Sequence, residues 1–239
     1  MSEALPKRRT SRLPPERRIA DIMGAAREVF AEKGYQEALI SDIAERAGIV
    51  EGSIYRFFAN KRDLLQRVAE DWFERMLADD EAQFAAIAGA RNRLRFIVHQ
   101  HLTTVKREPA LSRLVFRELR PQPDYRGSRL FQLNRRYTRR LVEVIADAVA
   151  RGEYRDGIAP TLVRDMIYGG IEHHTWAFLR GEGDFEVDAT ADGIAELVHR
   201  GLLAAPEPPE EQGLALVAAR LERAVARLER QAPPGPADA

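Results

Sequence analysis

The chain has 239 residues, no cysteine, and basic and acidic side chains in equal number, 37 of each. With 45% hydrophobic and 31% charged residues it has the composition of an ordinary globular protein of one or two domains. The lack of cysteine excludes disulfides and thiolate chemistry, no apolar run reaches the ~18 residues of a membrane span, and the N-terminal MSEALPKRRTSRLPPERR has no apolar stretch behind its charges. A cytoplasmic protein with no membrane partner is expected.

The charge is unevenly placed. Residues 1–18 carry Lys7, Arg8, Arg9, Arg12, Arg17 and Arg18 against Glu3 and Glu16, a net +4. Such a stretch is either a solvated tail or an arm that follows DNA phosphates. Pro14 and Pro15 then set a helix start near Glu16. Ile19, Ile22, Met23, Ala26, Val29 and Phe30 make its apolar stripe, and Gly34 ends it.

The next stretch, ISDIAERAGIVEGSIYRFFANKRDLL from Ile40 to Leu65, organises the chain. Ile40, Ile43, Ala44 and Ala47 share one helical face, Gly48 suits a left-handed C-cap, and the apolar pattern resumes at Ile54, Phe57 and Phe58. Two helices of about two turns cannot stand alone in water and must pack on a third. That is a helix-turn-helix, the form that places its second helix in the DNA major groove. Phe57 and Phe58 read as core.

Beyond it nearly every segment reads as helix. A long one is expected from Lys61 to Phe84, then about Ala90–Lys106, then one opened by Pro109 with Leu111, Leu114, Val115 and Leu119. Pro121, Pro123 and Gly127 mark a loop before a long helix over Ser128–Arg151 and a turn-rich connection to Pro160. Helices near Thr161–Arg180 and Ala189–Ala204 complete the compact part. No period-2 strand pattern and no internal repeat is found. The expected fold is all-α: a three-helix DNA-binding domain over 16–62 after a basic arm over 1–15, and a helical effector and dimerisation domain over 63–205. A C-terminal extension over 206–239 holds one helix at about 210–230. There Leu214, Val217, Leu221, Ala224 and Leu228 follow a heptad for only about two repeats.

Residues 19–65 resemble the DNA-binding domain of the TetR family of transcriptional regulators. The family pattern runs F-x-x-x-G-[YF], then I-A-x-x-A-G-[VI], then G-[ST]-[IL]-Y-x-x-F-x-x-K-x-x-L. This chain supplies Phe30, Gly34 and Tyr35; Ile43, Ala44, Ala47, Gly48 and Ile49; then Gly52, Ser53, Ile54, Tyr55, Phe58, Lys61 and Leu64. It departs from the family at Leu39, where Thr or Ser often caps the first short helix and Ser41 is the substitute at hand. It departs again at Val50, where Ser is frequent, and at Phe57, where His or Tyr is.

The resemblance implies a homodimeric repressor on a palindromic double-stranded operator, its half-sites spaced by about one helical turn, roughly 34–36 Å, or a multiple of it. The expected DNA-binding residues are Ser41, Glu51, Gly52, Ser53, Tyr55, Arg56 and Lys61. Ser53 and Arg56 have the chemistry for base edges or phosphates; Glu51 suits a cytosine amino group or simply the helix dipole; Tyr55 and Lys61 suit phosphates, against readings as a surface-tipped core aromatic and a solvated lysine. The second domain is implied to sense a small hydrophobic ligand, an acyl-CoA or another. Its expected wall holds Phe96, Leu114, Phe116, Tyr137 and Trp176, with His173, His174 or Tyr137 for a polar group. Ile194 and Val198 are expected in the dimer interface.

No cofactor, catalytic group or metal site is expected. The pairs His99/His101 and His173/His174 lack the i, i+4 spacing of a helical ligand pair, and there is no P-loop, nucleophile elbow or dinucleotide fingerprint. The competing reading is a regulator without a small-molecule ligand, an activator or one answering to a protein partner; an all-helical enzyme stands further off.

Overall fold

The computed structural model of the chain describes residues 14–78, 81–204 and 210–231. Nearly all of the expected basic arm, and the prolines at 206, 208, 209, 233 and 234, lie outside them. Helix α1 (Pro15–Glu37) buries Ile22, Ala25, Ala26, Val29 and Phe30 and breaks at Gly34, whose φ of 75° is a left-handed conformation that side chains with a Cβ rarely adopt. Helix α2 (Ile40–Arg46) buries Ile40, Ile43 and Ala44. Leu39 has no hydroxyl to cap it. The Asp42 carboxylate caps the helix instead, accepting the Leu39 backbone N–H at 3.0 Å while paired with Lys33 at 2.9 Å, and Ser41 is left exposed. Lys33 and that N–H hold the Asp42 carboxyl below the usual carboxylate range. At the other end of α2, Arg46 forks onto Glu32 at 2.9 and 2.8 Å and onto Glu28 at 3.1 Å, fastening α2 to α1.

The second helix of the motif is not a regular α-helix. Glu51–Ser53 form one 3₁₀ turn, and tight turns continue through Phe57. The bonds are of the i→i+3 kind: Ser53 N–H to Val50, Ile54 N–H to Glu51 and Phe57 N–H to Ile54, all at 2.9 Å. The segment is short and holds Gly52, so tertiary anchors set its shape rather than propensity. Ile54 is wholly buried, Phe58 nearly so and Phe57 half-buried.

Helix α3 (Lys61–Ala78) starts in a reciprocal cap: Asn60 accepts the Asp63 N–H and the Asp63 carboxylate accepts the Ala59 N–H, both at 2.9 Å. Of the helix expected to Phe84, the described residues show α3 up to Ala78 and α4 (Glu81–Ala85), with residues 79–80 outside them. Next come α5 (Ala90–Arg107), α6 (Pro109–Leu114), a π-helical turn over Val115–Leu119, and α7 (Arg129–Ala150). The helix expected over Thr161–Arg180 is two, α8 (Pro160–His174) and α9 (Trp176–Leu179). They part at buried Thr175, whose hydroxyl donates to the Ile171 carbonyl at 2.9 Å; such back-bonding bends a helix. Helix α10 (Val187–Leu202) lies along α5, tied by Arg91–Glu196 and by Arg95 to Asp188 and Asp192. Helix α11 (Glu210–Gln231) follows.

Two apolar cores result, and they do not divide at residue 62. One joins the head residues Ile22, Phe30, Ile43 and Ile54 to Trp72 and Phe73, and on to Leu111, Leu114, Val115, Leu119, Leu130 and Leu133. The other gathers Leu94, Ile97, Leu102, Leu141, Ile145, Ile167, Ile171 and Ala195. Helix α6 packs on α1, and Arg27–Glu108, Gln36–Glu118 and Arg62–Asp124 add polar links between the head and residues 108–124.

Lys61 differs from its expected role at a DNA phosphate. Its ammonium donates to the carbonyls of Tyr35, Gln36 and Ala38 at 2.8, 3.2 and 2.9 Å, and it sits 4.6 Å from the centre of the Tyr35 ring. An ammonium has three donors, and all three are used on the end of α1. Lys61 therefore pins the start of α3 to the α1–α2 corner. Lys61→Met keeps the stem and strands these carbonyls, so unfolding in urea should show a loss of about 1–3 kcal/mol. Unchanged stability with weakened DNA binding would return Lys61 to the phosphate.

Candidate nucleic-acid interface and interior chambers

The surface of the helix-turn-helix carries an exposed group of side chains set by its buried anchors. With Ile43 and Ile54 in the core, Ser41, Glu51, Gly52, Tyr55 and Arg56 are turned to solvent, and Ser53 is half-exposed. Tyr55 is 52% exposed, so it is no core aromatic. Two aliphatic side chains stand among them, Leu39 at 59% and Val50 at 75% exposed. Both occupy places where a hydroxyl was expected. They bring no donor for a phosphate, but an aliphatic group there suits a thymine methyl.

Two interior chambers lie between α3, α5, α7 and α8. The first, of about 400 Å³, has Met76, Leu77, Phe84, Phe96 and Ile97 in its wall and Arg107, Arg136, Arg139 and Arg140 around it. Among the described residues Glu143 is the one acid lining it, and it is paired with Arg139 at 2.8 Å. The Arg140 guanidinium lies 4.6 Å over the Phe84 ring. The second, of about 620 Å³, is walled by Trp72, Phe73, Val105, Phe116 and Phe131, with Ser112 and Val115 from α6 and the π turn; Arg120, paired with Glu172 at 2.8 Å, and Arg164 are polar lining groups. Met76, Thr104, Tyr137 and Tyr168 belong to both chambers and form the waist between them.

At the waist three rings meet. His101 stacks edge-on against Tyr168 with centroids 4.9 Å apart and lies 5.8 Å from Tyr137. His101 Nδ1 is 3.2 Å from the Tyr137 hydroxyl. Burial, then nearby Arg120, pushes the His101 imidazole down to about 4, so it is neutral at physiological pH. Burial, then neighbouring Tyr137, pushes the Tyr168 hydroxyl well above its ordinary value, which keeps it a donor. That hydroxyl is buried and has no hydrogen-bond partner among the described residues.

The expected ligand residues divide. Phe96 lines the first chamber, Phe116 the second and Tyr137 both. Leu114 is buried in the core shared with the head, and its neighbours Ser112 and Val115 reach the chamber. His173 and His174 are exposed, the latter beside Thr190 on an outer groove. Trp176 lies under the guanidiniums of Arg117 and Arg180, at 5.2 and 5.7 Å, and lines neither chamber. Trp176 comes after the break at Thr175, and eight residues from Tyr168 it is about 80° round the helix from it, off the Tyr168 face. Sequence reasoning missed His101 and Tyr168. His101 was legible at i+4 from Ile97 and i−4 from Val105, on the apolar face of α5; Tyr168 falls beside the Val163–Ile167–Ile171 stripe and gave no such sign.

The outer groove runs between α8 and α10, lined by Met166, Ile167, Ile194, Leu197 and Val198. Met166 is 69% and Leu197 76% exposed. Ile194 and Val198 are half-buried and also pack on their own core. Gly170 and Gly193 face the groove with open space where a Cβ would point. On α11, Leu216, Val217, Leu221 and Val225 are exposed; the side chains of Leu214 and Leu228 lie outside those described. No helix among the described residues is long and apolar enough to cross a membrane.

Two family models match the chain. A family model described as bacterial regulatory proteins, tetR family, matches residues 22–68, and one described as a tetracyclin repressor-like C-terminal domain matches residues 88–202. The fatty acid metabolism regulator protein of Bacillus subtilis is 25% identical over 181 residues, which is 76% of this chain and 93% of that one. The transcriptional repressor KstR2 of Mycolicibacterium smegmatis is 26% identical over 174 residues, 70% of this chain and 80% of that one. Among solved structures, the transcriptional regulator FadR from Bacillus subtilis in complex with stearoyl-CoA superposes with a TM-score of 0.66 at 26% identity, covering 77% of this chain and 98% of that one.

Proposed function

The chain belongs to the TetR family of bacterial regulatory proteins and is a DNA-binding regulator of transcription; we propose that it acts as a homodimeric repressor that a long-chain acyl-CoA releases from its operator. The observation that carries the ligand is the first chamber. Among the described residues four arginines and one already paired acid surround an apolar wall, which suits an amphiphile with several phosphates on its head. A regulator of similar sequence and fold has been crystallised with stearoyl-CoA. The acyl chain passes the waist into the second chamber, against Trp72, Phe73 and Phe116. There Ser112 and Val115 belong to the same short segment as Leu111 and Leu114, which pack with the reading head. A chain that spreads this segment moves α1 with it and shifts the two heads off their common DNA face. At the DNA, Arg56 and Ser53 are placed to read base edges, Tyr55 to hold a phosphate, and Val50 to meet a thymine methyl.

The dimer supports the palindromic operator. Exposed Met166 and Leu197 leave an apolar groove that a second copy would cover, and Gly170 and Gly193 allow two helix pairs to approach closely. Leu197→Glu introduces two charges across a two-fold interface, and sedimentation should show a monomer with unchanged helicity. A persistent dimer would place the interface elsewhere. Charges at Ile194 or Val198 test this less cleanly, because both residues also hold their own core.

The function itself is tested by operator binding to the upstream region of the gene, titrated with coenzyme A, acetyl-CoA, hexadecanoyl-CoA and octadecanoyl-CoA. Each buried methylene contributes about 0.8 kcal/mol, so affinity should rise by up to about 15-fold for each two carbons until the second chamber is filled. Release by the long chains and not by coenzyme A or acetyl-CoA is the expected result. Operator binding indifferent to every compound would leave a ligand-independent regulator.

A further inference from the structure

We infer that Tyr168 recognises the acyl-CoA at its thioester, its hydroxyl donating a hydrogen bond to the carbonyl oxygen at the waist between the two chambers. The inference rests on the acyl-CoA reading above and adds the residue that registers the ligand along its length. Its starting point is an unmet need. The Tyr168 hydroxyl is buried and has no hydrogen-bond partner among the described residues. A buried donor left unpaired is costly, and proteins rarely carry one without a partner from outside the chain.

Position supplies the chemistry of that partner. Tyr168 is shared by both chambers; Arg107, Arg136, Arg139 and Arg140 line the first, and the second carries Trp72, Phe73, Phe116 and Phe131 together with Arg120, Arg126, Arg135 and Arg164. An amphiphile with its head among the first chamber's arginines and its chain against the rings of the second sets its polar–apolar junction between them. In an acyl-CoA that junction is the thioester, whose carbonyl oxygen accepts and cannot donate. Neighbouring rings fix the orientation of Tyr168, which stands at 86° to His101 with centroids 4.9 Å apart and lies 6.1 Å from Tyr137. The neighbouring hydroxyl, on Tyr137, is already within 3.2 Å of His101 Nδ1, so Tyr168 is the donor left to the ligand. His101 is neutral there, and burial keeps Tyr168 protonated, so the Tyr168 hydroxyl is available as a donor to a carbonyl oxygen.

The test compares hexadecanoyl-CoA with its thioether S-hexadecyl-CoA, which keeps the head and chain length and lacks only the carbonyl oxygen. Isothermal titration of the full chain should show the thioester binding roughly ten-fold tighter. Tyr168→Phe should remove that preference while leaving thioether affinity unchanged or slightly improved, with the same thermal midpoint. Equal affinity of the unaltered protein for the two compounds would overturn the carbonyl contact. A preference that survives in Tyr168→Phe would overturn the assignment to Tyr168 while leaving the acyl-CoA reading intact. If neither compound binds the folded protein, the acyl-CoA reading itself falls, and the inference with it.

Discussion

A reading head of some fifty residues cannot bury its apolar faces alone, and the structure depends on how that shortage is met. The three elements of the head supply Ile22, Phe30, Ile43 and Ile54, but their core is completed by Leu111, Leu114, Val115 and Leu119. Each fully buried aliphatic side chain is worth about 1.5–3 kcal/mol. The head is thus held in its shape by the same short stretch that walls the second chamber through Ser112 and Val115. Stability and sensing draw on one set of contacts, so neither can change alone.

The stretch has the character of an element able to move. Helix α6 is six residues long and passes into a π-helical turn, where Arg120 N–H reaches back to the Val115 carbonyl at 3.0 Å. π-helical turns are rare and are frequently found at functional sites. The polar links across to the head, Arg27–Glu108 and Gln36–Glu118, are exposed and individually weak. Lys61 and Arg46 join elements within the head and fix its internal angles. Together they allow the head to turn as one body while its own helix-turn-helix keeps its form.

The all-helical fold and the reading head were legible in the sequence because their signals are local. Helix stripes, prolines at helix starts and the glycine at residue 34 act within a turn or two, and the family motif fixes the order of the head. What escaped was set by contacts far apart in the chain. Lys61 is a surface lysine by composition; only folding brings Tyr35, Gln36 and Ala38 around its ammonium. Trp176 follows His173 and His174 along an apparent single helix, but it falls beyond the break at Thr175 and off the face that carries Tyr168. Tyr168 carries no periodic sign, since its importance lies in meeting His101 from α5 and Tyr137 from α7. The second recognition segment read as a helix by pattern and became a 3₁₀ turn because Ile54 and Phe58 are tethered in the core.

On this view the ligand chambers and the reading head are energetically one unit. Coupling of that kind is reciprocal: whatever factor the ligand takes from operator affinity, the operator must take from ligand affinity. The direct measurement is the dissociation constant of hexadecanoyl-CoA for the free protein and for the protein saturated with its operator duplex. Coupling predicts weaker binding to the DNA-bound form, by the same factor as the loss of operator affinity, in the range of roughly 5- to 150-fold typical of allosteric proteins. An unchanged ligand affinity on the operator would contradict it.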